Sequence, residues 1–278
     1  MERRDALHRE GVSVSAFVAR YGPWAVVAGA SEGIGASFSQ KLAARGFNLV
    51  LLARRIGPLE ELAAALRSAH GVEVRAHSID LGSPEVAAEL HAVTDSLDVG
   101  LVIYNAAYSP IGAFIDIEVE EHLKAVDVNV LGMLRVSHYF GRRLAERGKG
   151  GMILMSSMSS FQGTAMVANY AATKAYDTIL AEGLWRELGP RGVDVLGCIA
   201  GATLTPNYEG STDKIPTSWL ARPMKPDEVT EQALRDLGQR PSGVSGRRNR
   251  LASVLLARLL PRRAAIEMVS RETEHMYR

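Results

Sequence analysis

The sequence predicts an α/β protein: a doubly wound parallel sheet with helices on both faces, in a single domain. Two observations carry that prediction. Apolar runs of strand length alternate with amphipathic helical stretches from residue 24 to residue 200, and such alternation requires crossover connections between parallel strands. The first apolar run also feeds a glycine-rich turn that opens at once into a helix, AGASEGIG at 28–35. A strand–turn–helix of that kind aims unpaired N–H groups and the positive end of a helix dipole at one point in space.

Each element follows from its own pattern. WAVVAG (24–29) is a compact apolar run ending in glycine, as a buried parallel strand does. Ile34, Phe38, Leu42 and Arg45 then recur at helical spacing, and Gly46 ends that helix. FNLVLLA is the second strand, and PLEELAAALRSAH a helix with proline early. VEVRAHSI and SPEVAAELHAV repeat the pair, and VGLVIYNAA (99–107) is the fourth strand. A long helical stretch covers about 119–147, followed by the strand GGMILMSS (150–157), the helix NYAATKAYDTILAEGLWREL (169–188) and the strand VDVLGCIA (193–200). The catalytic-sized domain is expected over 21–250, preceded by an extension (1–20) and followed by a helical basic tail (251–278). Segment 204–225, with Pro206, Pro216, Pro223 and Pro226 in or beside it, is expected to be a lid.

Composition narrows the function classes. The chain has 278 residues and a net charge of +1, so its bulk electrostatics do not point to nucleic acid. A single cysteine, Cys198, excludes an intrachain disulfide, and the seven histidines show no metal-ligand spacing. MERRDALHREG carries charge with no apolar stretch behind it, unlike a secretory signal. LASVLLARLL (251–260) is too short to span a bilayer and contains Arg258. A soluble cytoplasmic protein is expected.

The glycines have separate tasks. Gly29 permits the tight turn, Gly33 lets the backbone approach a pyrophosphate, and Gly35 lets helix pack on strand. That is a Rossmann-type arrangement, though the spacing is G-x-x-x-G-x-G. The second strand ends LVLLARR, so Ala53 stands where an acid would hold an adenosine 2′-hydroxyl, and Arg54 and Arg55 follow. Guanidinium groups there suit a 2′-phosphate, so NADP(H) is expected over NAD(H).

A second constellation lies in SSMSSFQGTAMVANYAATK. Tyr170 and Lys174 are four apart on a predicted helix and share a face. Reducing a ketone by hydride leaves an alkoxide that needs a proton. A free tyrosine, with pKa about 10, donates well only if a neighbouring cation stabilises its phenolate. Ser157, at the end of the fifth strand, can hydrogen-bond the same oxygen.

With these motifs in hand, the chain resembles the short-chain dehydrogenase/reductase family over most of its length. The family's T-G-x-x-x-G-x-G is matched by Ala28, Gly29, Gly33 and Gly35, its N-A-G by Asn105, Ala106 and Ala107, and its helix asparagine by Asn129. Its serine, thirteen residues before the tyrosine, falls on Ser157, and Y-x-x-x-K on Tyr170 and Lys174. Its P-G turn and later threonine become Ala200, Gly201 and Thr205. The departures are Ala28 for threonine, Ala107 for glycine and Ala200 for proline; none removes a catalytic side chain. YGPWAVVAGASEGIG, LLARR and the late LLARLLP further resemble the branch of 17β-hydroxysteroid dehydrogenases and very-long-chain 3-oxoacyl-CoA reductases.

The resemblance implies an NADP(H)-dependent oxidoreductase interconverting a ketone and a secondary alcohol. Tyr170 would be the proton donor, Ser157 would hold the carbonyl oxygen, Lys174 would assist Tyr170 and grip the nicotinamide ribose, and Asn129 would anchor a water relay to Lys174. It further implies cofactor contacts from Ser31, Glu32, Ile34, Asp80, Leu81 and Thr203 beside the residues already named. The substrate would lie among Ser157, Met158, Met166, Tyr170 and Tyr208, with Phe161, Trp219 and Met224 nearby, which suggests a bulky hydrophobic ketone. The alternative is a non-catalytic NADP(H)-binding redox sensor or scaffold. A homodimer or homotetramer is expected. The tail, with Arg247, Arg248, Arg250, Arg258, Arg262, Arg263, Arg271 and Arg278, is read first as a helix covering the sheet edge or a partner subunit. Binding an acyl-CoA phosphate, or weak contact with an anionic membrane surface, is the second reading.

Overall fold

The computed structural model describes residues 14–214, 216 and 222–278. The extension before residue 14 and the tip of the expected lid, including Trp219, lie outside the described residues. A helix α1 (Val14–Tyr21) leads into seven parallel strands: β1 (Trp24–Ala28), β2 (Asn48–Ala53), β3 (Val74–Ser78), β4 (Val99–Tyr104), β5 (Gly150–Ser157), β6 (Val193–Ala200) and β7 (Ser242–Val244). Their order across the sheet is β3-β2-β1-β4-β5-β6-β7. The direction of winding reverses between β1 and β4, and a crevice forms beyond the carboxyl ends of the strands at such a point.

The other helices of eight or more residues are α2 (Gly33–Ala43), α3 (Ile56–His70), α4 (Val86–Thr94), α5 (Val119–Val126), α6 (Met133–Arg147), α7 (Ala168–Leu188), α8 (Pro226–Asp236), α9 (Arg247–Val254) and α10 (Arg262–Tyr277). Side chains alternate across a strand, so β1 sends Ala25 and Val27 to one face, with Phe38 and Leu42 of α2. It sends Trp24, Val26 and Ala28 to the other, with Val136 and Phe140 of α6. Every β1 residue is buried, which is why the strand reads as a continuous apolar run.

Three differences from the sequence reading bear on the site. β4 stops at Tyr104, because Asn105 and Ala106 turn their N–H groups onto the Ala28 carbonyl (2.9 and 3.1 Å). The helix expected over 119–147 carries a wider turn at Asp127–Gly132. Such an insertion re-aims one residue, here the fully buried Asn129. The short β7 pairs with β6 through Cys198↔Gly243 and Ile199↔Val244; three residues of serine, glycine and valine carry no readable periodicity.

Candidate active site

The glycine run follows β1 as the topology requires. Gly29 has φ +81°, and a Cβ there would sit 2.6 Å from the Ala106 nitrogen. A Cβ on Gly35 would sit 2.0 Å from the Gly29 carbonyl oxygen. Any side chain would therefore push α2 away from the strand ends and fill the cradle. Asn105 locks the opposite lip by donating to the Gly29 carbonyl at 2.9 Å.

A cleft of about 780 Å³ opens above these elements. Gly29, Ser31, Glu32, Gly33 and Ile34 line it from the turn, and Arg54, Arg55, Asp80 and Leu81 from the ends of β2 and β3. Asn105, Ala106 and Ala107 follow β4, and Gly201, Thr203 and Thr205 follow β6. Ser157, Tyr170, Lys174 and Tyr208 complete the expected set. Gly35 lies behind the lining as the packing residue, Asn129 is buried, and Met158 and Met166 are not among the lining side chains. Met166 instead holds a left-handed backbone (φ 66°) and accepts the Gly112 N–H at 2.9 Å. Its role is to turn the chain into α7.

The side chains expected to react are held in order. Alternation along β5 turns Ser156 inward, where it donates to the Lys174 carbonyl at 2.7 Å, and turns Ser157 to the cleft. Ser157 accepts from the Ser159 N–H at 3.2 Å and donates to the Ser159 hydroxyl at 3.4 Å, a long bond that leaves its proton exchangeable. Lys174 and Tyr170 share one face of α7, with Nζ 5.8 Å from the ring centroid. Lys174 is only 2% exposed. Its ammonium donates to the Met155 carbonyl (3.0 Å) and the Asp177 carboxylate (2.9 Å). Burial, the largest single influence, lowers the lysine pKa, but the charge and hydrogen bond of Asp177 together with Tyr170 outweigh it and hold it above the ordinary value. Burial likewise raises Asp177, against the pull of Lys174.

Asn129 is committed to the Tyr108 backbone and the Thr173 side chain. It accepts the Tyr108 N–H (2.7 Å) and donates to the Tyr108 carbonyl and the Thr173 hydroxyl, both at 2.9 Å. Thr173 in turn donates to the Tyr170 carbonyl at 2.8 Å. The wide turn thus ties the loop after β4 to the helix that carries the tyrosine.

At the ends of β1 and β2, Arg55 forms a 2.6 Å ion pair with Glu32 across the mouth. Segment 204–225 is pinned at its base, where the Leu204 N–H donates to the Met224 carbonyl (2.8 Å) and the Met224 N–H to the Ala202 carbonyl (2.9 Å). The tail lies over the cleft. Ser270 accepts the Ala165 N–H (3.1 Å), Thr273 donates to the Ala165 carbonyl (3.0 Å), and Thr212 donates to the Met276 carbonyl (2.6 Å). Thr273 and Tyr277 line the cleft, so α10 builds the site as well as covering it. Burial pushes the Cys198 thiol up to about 12, which leaves no thiolate at neutral pH. Among the described residues no His, Cys, Asp and Glu group is arranged for a metal, and no helix is long and apolar enough to cross a membrane.

Sequence reasoning missed Asp177, Tyr108, Thr273 and Tyr277. An acid three residues after Lys174, on the face shared with Ala181, was a readable signal for the first. The others are set by tertiary packing.

Comparison with known proteins agrees with this fold. The family model described as short chain dehydrogenase matches residues 23–215. A 7β-hydroxysteroid dehydrogenase of Collinsella aerofaciens is 33% identical over 235 residues, covering 83% of this chain and 89% of the relative. A very-long-chain 3-oxoacyl-CoA reductase of Podospora anserina is 37% identical over 180 residues, covering 63% of this chain and 53% of that one. A solved structure from work on 7β-hydroxysteroid dehydrogenase stereoselectivity superposes with a TM-score of 0.85 at 30% identity, over 91% of this chain and 98% of the other.

Proposed function

The chain belongs to the short-chain dehydrogenase family and is an oxidoreductase of the ketone–alcohol pair; we propose that it uses NADP(H) and acts on a bulky hydrophobic ketone or secondary alcohol. The observation that carries this reading is the convergence of Ser157, Tyr170, Lys174, the glycine turn, Arg54 and Arg55 on one cleft.

The residues present fit a dinucleotide. The turn at Gly29 and Gly35 leaves a cradle that any Cβ would fill, where the N-terminus of α2 would meet the pyrophosphate. Arg54 and Arg55 would take the 2′-phosphate, with no acid at Ala53 to oppose it. Asp80 and Leu81 would flank the adenine, and Asn105 through Ala107 with Thr203 and Thr205 would form the walls toward the nicotinamide. When bound, the cofactor supplies the hydride.

The chain's own residues do the rest. Ser157 donates a hydrogen bond to the substrate carbonyl oxygen, where negative charge grows during reduction. Tyr170 transfers its phenolic proton to that oxygen. The Lys174 ammonium favours the phenolate left behind and would hold the ribose. In oxidation the same groups run in reverse. Tyr208, Thr273 and Tyr277 line the cleft and would bound the substrate end. The 7β-hydroxysteroid dehydrogenase and 3-oxoacyl-CoA reductase relatives support a large apolar substrate.

We further propose a cytoplasmic homo-oligomer. The exposed Leu134, Ile179 and Trp185 on α6 and α7 favour self-association, which light scattering tests. For the function, ketosteroids, 3-oxoacyl thioesters and other bulky ketones should be assayed with NADPH and NADH. Turnover of at least one with NADPH preferred is expected. Equal efficiency with NADH would overturn the cofactor assignment, and no turnover of any ketone or alcohol would overturn the substrate class.

A further inference from the structure

Asp177 is a fully buried carboxylate on α7, beneath the cleft and three residues beyond Lys174. A lone buried carboxylate is costly enough that it is retained only with a partner. Its Oδ2 accepts from the Lys174 ammonium at 2.9 Å, and its Oδ1 is buried with no hydrogen-bond partner. The ammonium donates its second bond to the Met155 carbonyl on β5 (3.0 Å). Both bonds draw Nζ down toward the sheet. Lys174 therefore has two protein acceptors, one of them charged.

We propose that Asp177 is a positioning residue for Lys174: it keeps the buried ammonium charged and retracted against β5, and yields it to the ribose of a bound nicotinamide cofactor. This rests on the reading of Lys174 as the ribose-binding lysine. The geometry allows it, because the ammonium has three donors and only two are given to protein acceptors, so a ribose hydroxyl can be met by the third or by exchange with one of the two. The titratable groups facing the pair are Tyr170 and Tyr176 on α7 and Tyr104 on β4, whose hydroxyl donates to the Val128 carbonyl. Tyr277 of α10 faces Tyr170 from across the cleft. Asp177 is thus the acid that offsets burial at Lys174. Without it, desolvation would favour the neutral amine.

The test compares wild type with Asp177→Asn, which keeps the shape and removes the charge. In protein carrying ¹³C-lysine, the Lys174 ε-carbon is assigned by its loss in Lys174→Met and titrated by NMR without cofactor. The wild type should titrate above the ordinary lysine range and Asp177→Asn below it. Identical titrations would overturn the proposal. This arm needs no cofactor, so it decides the proposal even where the functional reading fails. The second arm measures NADPH affinity against pH by fluorescence. Asp177→Asn should lose about tenfold in affinity on the alkaline side as the amine gives up its proton, while the wild type stays flat there. Parallel pH profiles would leave Asp177 a packing residue and overturn the proposal. If Asp177→Asn does not fold, the wild type alone decides it: NADPH should move the Lys174 ε-carbon resonance, and an unmoved resonance contradicts the exchange of partners.

Discussion

Replacing Glu32 by Gln should sharpen the preference for NADPH. Glu32 holds Arg55 in a 2.6 Å ion pair at the mouth of the cleft, so one of the two guanidinium groups proposed for the 2′-phosphate is already shared with a carboxylate. The side chains are 63% and 41% exposed, and exposed pairs of this kind are worth about 0.2–1 kcal/mol once solvent screening is counted. Freeing Arg55 should therefore tighten NADPH binding by about 1.5- to 5-fold. Glu32 sits at the N-cap of α2 but makes no capping hydrogen bond, so the change removes no cap. NADH, without the 2′-phosphate, should bind as before. The gain should shrink as salt rises, because the groups involved face solvent. Fluorescence titration of both cofactors at low and high salt measures all of this. If NADH gained as much as NADPH, or NADPH weakened, the assignment of Arg55 to the 2′-phosphate would be refuted.

Three further outcomes are expected. Phe38 is fully buried between α2 and the sheet, so Phe38→Ala should cost about 3–5 kcal/mol in a denaturant melt. The Arg147 hydrogen bond lowers the Asp98 pKa, so its stabilisation is present above the unfolded value and lost as pH falls through the folded one. Asp98→Asn should accordingly lower stability by less than about 1 kcal/mol at neutral pH, Asp98 being exposed, and the two melts should merge in strong acid. Tyr277→Ala opens the substrate end of the cleft and should raise KM for a bulky ketone by about 3- to 10-fold without changing NADPH affinity.

Much of this architecture was legible because its signals are local. The glycine turn, the Arg54–Arg55 pair and the Tyr170–Lys174 spacing each fall within a few residues, and each marks a place where backbone geometry or helix periodicity limits the choice of residue. The wide turn around Asn129 was hidden because VDVNVLG reads as ordinary helix, and only packing against Thr173 and Tyr108 makes it bulge. The Glu32–Arg55 pair joins residues far apart in sequence that meet because β1 and β2 are adjacent. The tail was read chiefly from its arginines, as a helix covering a sheet edge or a partner. One of those arginines, Arg262, does fasten it by donating to the Phe161 carbonyl, and the uncharged Ser270 and Thr273 add hydrogen bonds to Ala165. Asp177 stood in plain view, yet its meaning depends on burial, which the pattern of α7 does not reveal.

Tyr170→Phe tests the central claim most directly, because it removes one hydroxyl and no packing volume. NADPH affinity and the rate of reduction of a ketone turned over by the wild type should be measured side by side. Loss of the proton donor should lower kcat by about 10²- to 10⁴-fold while the NADPH dissociation constant stays within about twofold, since no cofactor contact is assigned to that hydroxyl alone. Equal rates of ketone reduction by wild type and Tyr170→Phe would contradict the account.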